Sequence, residues 1–402
     1  MAVDMPFEVT DARGAAVDPI ADSSQRAELR RTIRRLVTHE APAERIRQLD
    51  EAETFDDVLY AKLAQLGVLG IDAPADLGGH GDVRDQLVVV EELGAGPTSM
   101  AAFMISQYAV VQVLSGFGVT VAQREVLHAL IVGETKVSFA LSEASGGTDV
   151  ARLMRTRADR CGGGYRISGQ KMWTSGAALA DWIIVLARTS PISGPAIDGI
   201  TMFLVPAAAA GVTVRTIDTF GIHGMSTCEV FLDGVEVRAD AVLGEVDAGM
   251  RQALATVNRE GLNAAAATLG VGRGALELAV SYAKDRQVFG KPIGAFQVPQ
   301  HWLVDGAVAL EAARGLMTRA AEIEVAGGDA GRLAAMAKLI ASEAAVNIAL
   351  HGMQIMGGMG YSREVAMQRY FRDGRLWSFS PLTNEMVRNR LGQTLLGLPR
   401  SY

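Results

Sequence analysis

Apolar residues recur at two different spacings along this chain of 402 residues, and the change of spacing divides it into three parts. In the first part, Leu29, Ile33 and Leu36 are three or four positions apart with arginines between them, which predicts a helix. The second part contains short segments rich in Val, Ile, Phe and Thr, such as WIIVLART and GITMFLVP, separated by glycine-bearing turns. That pattern predicts an antiparallel β domain, either a barrel or a sandwich. The predicted domains are residues 1–134, 135–246 and 247–402.

Helical spacing returns in the third part, where long segments cover residues 249–285, 296–326 and 330–356. Glycine pairs at 327–328 and 357–358 interrupt it. No helix long enough for a crossover lies between the strands of the middle part, which argues against a dinucleotide-binding unit of parallel strands. The pattern therefore predicts an α+β fold with an N-terminal helical domain, a middle antiparallel β domain and a C-terminal helical bundle.

Composition and charge exclude several classes of protein. Hydrophobic residues make up 49% of the chain and charged residues 21%, as in globular proteins. The net charge is −7 and no basic block occurs, so we expect no nucleic-acid partner. The longest apolar runs contain a charge or are too short, so we expect no membrane span. The N-terminal stretch MAVDMPFEVTDARG has acidic residues and no apolar core, unlike a secretory signal or a transit peptide.

Cysteine and histidine usage bears on compartment and metal binding. Cys161 and Cys228 are far apart and form no CxxC pair, so we expect no disulfide framework and a reducing, cytoplasmic compartment. The six histidines show no HxH or HExxH spacing, and we expect no metal site.

Two stretches of the middle domain combine small, hydroxyl and aromatic residues. LSEASGGTDV, residues 141–150, follows a predicted strand, and its backbone amides can approach a planar ring or a thioester. An ordinary polar turn explains it equally well. In KMWTSG, residues 171–176, Trp173 can flank a ring while Ser175 binds its edge. A tryptophan packed in the core at a strand end is the alternative.

Two stretches of the C-terminal domain suit phosphate groups. DRQVFGKPIGAFQ, residues 285–297, contains Arg286, whose fork of donors matches a pyrophosphate. QIMGGMGY, residues 354–361, has two glycines after a predicted helix, and their amides can contact phosphate or adenine. Taken alone, the second stretch reads better as a helix C-cap.

In this order, the four stretches resemble the acyl-CoA dehydrogenase family, and the resemblance runs nearly from end to end. It implies a helical domain, a β domain and a four-helix bundle, with bound FAD. It implies that the flavin ring is lined from the β domain by Phe139, Leu141, Ser142, Trp173 and Ser175. It implies that the FAD of a neighbouring subunit is contacted by Arg286, Phe289, Gln297, Gln354, Gly357 and Gly358. It also implies Thr148 near the acyl thioester, Thr383 near the pyrophosphate, and a homotetramer built as a dimer of dimers.

One departure from the family concerns the catalytic base. Many members place a glutamate in a loop similar to YEGTSE, but the matching stretch here is SPLTNE, and Pro381 occupies the place of the glutamate. A minority carry the base on the long helix, at the position of Glu260, just before a run of small residues. Desolvation there would raise the pKa of a carboxyl and strengthen the base. The alternative is that Glu260 only pairs with Arg259 or caps a helix turn. Gly261 follows where the family often has an arginine, which enlarges the space for the acyl group.

The resemblance implies an FAD-dependent α,β-dehydrogenation of an acyl thioester, carried by CoA or a carrier protein. Electrons would leave to an electron-transfer flavoprotein or a similar acceptor. Two alternatives remain open on the same fold. One is a flavin-dependent monooxygenase, which needs no base in the loop. The other is a catalytically silent subunit, which Pro381 favours.

Overall fold

The N-terminal region is helical, as the spacing of its apolar residues predicts. The computed structural model describes residues 9–10, 16–17, 24–254 and 257–400. Two short paired strands, β1 (Val9–Thr10) and β2 (Ala16–Val17), come first. The helices that follow are α1 (Ser24–Glu40), α2 (Ala43–Glu51), α3 (Asp57–Gln65), α4 (Val83–Gly94), α5 (Thr98–Phe117) and α6 (Val121–Ile131).

Side-chain caps define where several of these helices begin. Asp82 and Asp85 form a reciprocal capping box at the start of α4, and Thr120 and Gln123 form another at the start of α6. At its other end α4 reaches Gly94.

The middle region is a β domain, as predicted. Its elements are β3 (Val137–Ala140), α7 (Val150–Leu153), β4 (Arg157–Cys161), β5 (Gly164–Ser175), β6 (Trp182–Arg188), β7 (Ile200–Pro206), β8 (Val212–Ile217), β9 (Thr227–Arg238) and β10 (Val242–Leu243). The strand order is β10-β7-β6-β4-β5-β9-β8, and β3 pairs with β6.

Most neighbouring strands are antiparallel, with two exceptions that the sequence did not predict. β3 runs parallel to β6 along its whole length, and β4 meets β6 in a single parallel pair. Such pairings need a long connection, and the hairpin of β4 and β5 lies between β3 and β6 in the chain.

The C-terminal region is helical, and the predicted long segments are confirmed. Its elements are α8 (Gly249–Leu254), α9 (Val257–Asp285), β11 (Gln287–Val288), β12 (Lys291–Pro292), α10 (Gln297–Val325), α11 (Gly331–Met356), α12 (Gly358–Tyr361), α13 (Met367–Leu376) and α14 (Asn384–Thr394). The glycine pair at 327–328 separates α10 from α11, and Gly357 separates α11 from α12.

Apolar cores join the helical regions to each other and to the sheet. One core contains residues of the N-terminal helices together with α9, α10 and α11. A second lies between α5, α6 and one face of the sheet, and a third covers the other face. Residues on β6 alternate between them, since Ile184 belongs to the second core and Ile183 to the third.

Helix α9 lies at the centre of the helical regions and packs closely against α4. A methyl group at Gly270 would lie 2.1 Å from the carbonyl oxygen of Glu91, so the two backbones touch at a glycine. Buried ion pairs join the same elements. The carboxylates of Glu91 and Glu92 meet arginines from three helices, namely Arg30, Arg34, Arg273 and Arg314. The middle of α9 is therefore fixed against α4.

Two helices, Thr98–Phe117 and Gly331–Met356, are long and apolar enough to cross a membrane by length and composition alone. Their apolar windows are 67% and 50% buried inside the protein. Core helices pass the same test, so this finding is weak evidence for a membrane span.

Candidate active site

Glu260 lies in the first turn of α9, where that helix enters the core. Leu262 and the alanines from Ala264 to Ala267 are fully buried. Glu260 itself is half-buried, and within the described residues no hydrogen bond or ion pair reaches its carboxylate. Desolvation alone raises the pKa of Glu260 to about 7. The group is therefore a carboxyl that changes charge near neutral pH.

Arg259 does not pair with its neighbour Glu260. Its guanidinium forms ion pairs with Asp72, which follows α3, and with Glu324 at the end of α10. When the oxygen and nitrogen of its side-chain amide are exchanged, Gln112 of α5 also accepts hydrogen bonds from the guanidinium of Arg259 through that oxygen. These contacts fix the first turn of α9 to the helices around it and leave the carboxylate of Glu260 unpaired by its neighbour.

The loop that carries Pro381 lies beside the start of α9. Gly261, Lys338, Pro381 and Leu382 line one cleft between α9, α11 and this loop. A methyl group added at Gly261 would meet no atom within 4 Å, so the glycine leaves open space next to Glu260. Pro381 thus shares a cleft with Gly261, the residue that follows Glu260 in the chain.

The predicted flavin-lining residues come from the ends of two strands that hydrogen bonds hold together. The backbone amide of Met172 donates to the carbonyl of Ser142 at 2.9 Å, and the hydroxyl of Ser138 donates to the carbonyl of Ser175 at 2.9 Å. The stretch after β3 therefore lies against the end of β5. It carries Leu141 and Ser142, and β5 carries Trp173 and Ser175 next to it.

Two bulky aromatic residues have unusual backbones and unusual exposure, one from the predicted flavin-lining set and one from the set predicted to contact a neighbouring subunit's cofactor. Trp173 has φ of 59° and is 56% exposed, and Phe289 has φ of 50° and is 97% exposed. Left-handed backbone at a bulky residue is rare and strained. Trp173 lies where the pairing of β5 with β9 shifts register between Lys171 and Thr174, which is a bulge. An aromatic face displayed in this way fits a planar ring such as a flavin.

The residues predicted to contact a neighbouring subunit's cofactor are all exposed. They are Arg286, Phe289, Gln297, Gln354, Gly357 and Gly358. The rings of Trp302 and His351 stack with centroids 4.7 Å apart, which places the start of α10 beside the end of α11. Gln297 and Gln354 therefore belong to the same end of the bundle. A methyl group at Gly357 or Gly358 would meet nothing within 4 Å, so this surface is open to a ligand.

Two further predicted site residues, Thr148 and Thr383, each lie just before a helix. Thr148 is exposed in the loop before α7. The hydroxyl of Thr383 accepts from the backbone amide of Met386 at 3.2 Å and caps α14, so part of its hydrogen-bonding capacity is already used.

Two buried lysines near the site were missed by the sequence analysis. Lys171 pairs with Glu143 at 2.8 Å beside the predicted ring wall. Lys338 donates to the carbonyl of Leu382 at 2.7 Å and to Oδ1 of Asn384 at 2.8 Å, and so holds the loop of Pro381. Desolvation lowers the pKa of each lysine to about 8. A lone cation inside the apolar run LAAMAKLIA was the available signal for the second.

Comparison with known proteins covers nearly the whole chain. Residues 23–134, 138–235 and 247–396 match the N-terminal, middle and C-terminal domains of acyl-CoA dehydrogenase. An acyl-CoA dehydrogenase of Bacillus subtilis is 34% identical over 360 residues, which are 89% of this chain and 94% of that protein.

Solved structures show the same arrangement. Butyryl-CoA dehydrogenase from Megasphaera elsdenii superposes with a TM-score of 0.88 at 30% identity, covering 93% of this chain and 98% of the other. An FAD complex of PigA superposes with a TM-score of 0.87 at 25% identity, covering 93% of this chain and 98% of that one.

Proposed function

The chain belongs to the acyl-CoA dehydrogenase family of oxidoreductases, and on that premise we propose that it binds FAD and dehydrogenates an acyl thioester with Glu260 as the base. The observation that carries this assignment is the unpaired, half-buried carboxylate at the first turn of α9, with its pKa raised to about 7. A base whose pKa lies near the working pH is ionised often enough to act and basic enough to take a proton.

Glu260 accepts the α-proton of the thioester, and the β-hydrogen leaves as a hydride. When bound, FAD supplies the acceptor for that hydride. Arg259 keeps the first turn of α9 in place through Asp72 and Glu324, so the carboxylate need not move to react. Pro381 has no titratable group, so the loop supplies no base at that position. Pro381 lines the same cleft as Gly261, which supports a base that comes from the helix and not from the loop.

The cofactor would be held from two sides. In this proposal Phe139, Leu141, Ser142, Trp173 and Ser175 line the flavin ring. The exposed, left-handed Trp173 supports this role, because a strained backbone at an exposed aromatic is typical of a ligand site. In this proposal Thr383 lies near the pyrophosphate, at the start of α14.

The remaining cofactor contacts would come from a second copy of the chain. Phe289, at 97% exposure, packs on little of its own chain apart from an edge contact with Phe296, which supports a partner for it elsewhere. We therefore include a homotetramer, a dimer of dimers, in the proposal.

The family indicates the chemical class of the substrate and of the electron acceptor, and the proposal names only these classes. The acyl group reaches the site on CoA or on a carrier protein, with Thr148 and Gly261 close to it. Electrons leave to an electron-transfer flavoprotein or a similar acceptor. A reducing, cytoplasmic compartment fits Cys161 and Cys228, which are both free thiols.

The function is tested by anaerobic addition of a panel of acyl-CoA and acyl-carrier-protein thioesters to the purified protein. Bleaching of the flavin absorption by one of them is expected, and it identifies the acyl class and the carrier together. Flavin that is bleached only by a nicotinamide reductant would indicate the monooxygenase. A protein that takes up no FAD would indicate a silent subunit.

The base is tested by Glu260→Gln, which keeps the shape of the side chain and removes its ability to accept a proton. We expect normal FAD content and thioester binding, with flavin reduction slowed by about a hundredfold or more in single turnover. The matched control is Glu322→Gln, the same change at an exposed position of α10, which should reduce at the wild-type rate. Wild-type reduction in Glu260→Gln would remove Glu260 from the mechanism.

A further inference from the structure

Glu143 and Lys171 form an ion pair that is almost completely removed from solvent. The Nζ of Lys171 lies 2.8 Å from Oε1 of Glu143, with side-chain exposures of 0% and 5%. The same carboxylate accepts from the backbone amide of Thr156 at 3.0 Å and from that of Arg155 at 2.7 Å. The ammonium also donates to the carbonyl oxygen of Leu141 at 3.1 Å.

This arrangement costs free energy to build, because both charges lose their water. A buried ion pair often stabilises a fold no better than apolar residues of similar volume. Here the carboxylate has three donors and the ammonium has two acceptors, so the pair is well satisfied. General stability is a weak explanation for such a pair, and its position suggests a more specific one.

The pair ties together the two strand ends that carry the predicted ring-lining residues. Lys171 binds the carbonyl of Leu141 and the carboxylate of Glu143, and so contacts the stretch after β3 on both sides of Ser142. Lys171 is also the last regularly paired residue before the bulge that contains Trp173. The backbone bond from Met172 to Ser142 closes the same junction. One ammonium thus holds the loop on one side and the base of the bulge on the other.

We propose that Glu143 and Lys171 are positioning residues that hold the loop after β3 and the Trp173 bulge in the geometry that receives the flavin ring. The inference rests on the proposed function in one respect, since it takes FAD to be the group received. Neither side chain need touch the cofactor, because the pair acts through the backbone of Leu141 and Ser142 and through the bulge.

The test uses the full-length protein stripped of FAD and titrated with FAD, with flavin fluorescence and visible circular dichroism as readouts. The variant Glu143→Gln/Lys171→Met removes both charges, so no unpaired charge stays buried. The single side-chain oxygen of glutamine can replace only one of the two carboxylate oxygens that accept from the amides of Arg155 and Thr156, and methionine cannot hold Leu141. We expect the stripped variant to fold with a lowered melting temperature, and the folded protein to show an FAD Kd raised by about tenfold or more and an altered dichroism of the bound flavin.

The matched control is Arg166→Met. It removes an exposed ion pair between Arg166 of β5 and Glu236 of β9. It should bind FAD as the wild type does. The single variant Lys171→Met leaves a buried carboxylate unpaired and should lose both stability and FAD.

The outcomes separate the inference from the function on which it rests. If the double variant binds FAD within about twofold of the wild-type Kd with an unchanged dichroism spectrum, the pair is structural only and the inference is wrong. The inference is also wrong if the double variant loses FAD only in proportion to its unfolded fraction, so that the folded fraction binds FAD normally. Failure of the wild type itself to bind FAD would instead overturn the proposed function.

Discussion

Glu260 and Glu91 are the same chemical group in opposite surroundings. Three arginines, Arg30, Arg314 and Arg273, lie close to Glu91 and hold its pKa well below the usual range despite complete burial. No charged partner reaches Glu260 within the described residues, and desolvation raises its pKa to about 7. The first carboxylate is therefore fixed in its ionised form as a structural anchor. The second can take up and release a proton near neutral pH, as a general base must.

The raised pKa of Glu260 predicts the pH dependence of flavin reduction. Only the ionised carboxylate accepts a proton, so the single-turnover rate should fall by about tenfold per pH unit below pH 7 and level off above it. Stopped-flow reduction by a thioester across the pH range measures this. The residual reduction in Glu260→Gln should lack that inflection. A wild-type profile that is flat from pH 5 to 8, or the same inflection in the variant, would contradict the assignment.

The same shift predicts a change in stability, because the folded protein binds a proton at Glu260 more tightly than the unfolded chain does. The folded state loses stability as pH rises from the ordinary pKa of 4.5 toward 7, and the loss is complete above pH 7. Glu260→Gln should remove that part of the pH dependence of the free energy of unfolding.

Helix α9 shows that glycines within one element can have opposite roles. At Gly270 the helix touches the backbone of α4, and a side chain would collide with a carbonyl oxygen that has no room to move. At Gly261 a methyl group would meet open space beside Glu260. The first glycine allows two helices to approach closely, and the second leaves volume in the candidate site.

A pair of alanine substitutions separates these roles. Gly270→Ala should lower the free energy of unfolding by about 1–3 kcal/mol through overpacking against α4. Gly261→Ala should leave it unchanged or raise it by up to about 1 kcal/mol, because alanine favours helix. Urea unfolding of the two variants compares them on the same helix. Equal effects would show that the α4 contact does not depend on Gly270.

Across the whole molecule, predicted cofactor residues occupy two separate kinds of surroundings. Those of the middle domain lie at the junction of β3 and β5, whereas those from Arg286 to Gly358 lie exposed on the C-terminal bundle. Exposed residues of the second kind are accessible to a ligand or to a second chain. A cofactor shared between copies of the chain would satisfy them.

Shared binding predicts that FAD occupancy depends on Arg286. Arg286→Glu places a negative charge against a pyrophosphate, and we expect a largely flavin-free protein, measured from the ratio of flavin to protein absorbance. Arg35→Glu, the same reversal on the exposed face of α1, should keep full FAD content. Sedimentation of both variants shows whether assembly is retained. Full FAD occupancy in Arg286→Glu would show that Arg286 does not contact the pyrophosphate.

Local sequence determined the elements of this protein, because helix and strand periods, caps and glycine breaks act over a few residues. The order of four short stretches was enough to identify the family, and the long helices of the C-terminal region lie where the spacing predicts them. The strands β4 and β10 were not predicted, since Arg157–Cys161 is rich in charge and Val242–Leu243 is only two residues long.

Tertiary structure alone decided which distant residues meet. The parallel pairing of β3 with β6, the ion pairs of Arg259 with Asp72 and Glu324, and the place of Pro381 beside Gly261 all join segments far apart in the chain. So does the burial of Lys171 against Glu143, which residue type alone would assign to the surface. Contacts of this kind depend on how whole elements pack around shared cores, and the pKa of Glu260 depends on them too, because desolvation is a property of the packed surroundings and not of the residue.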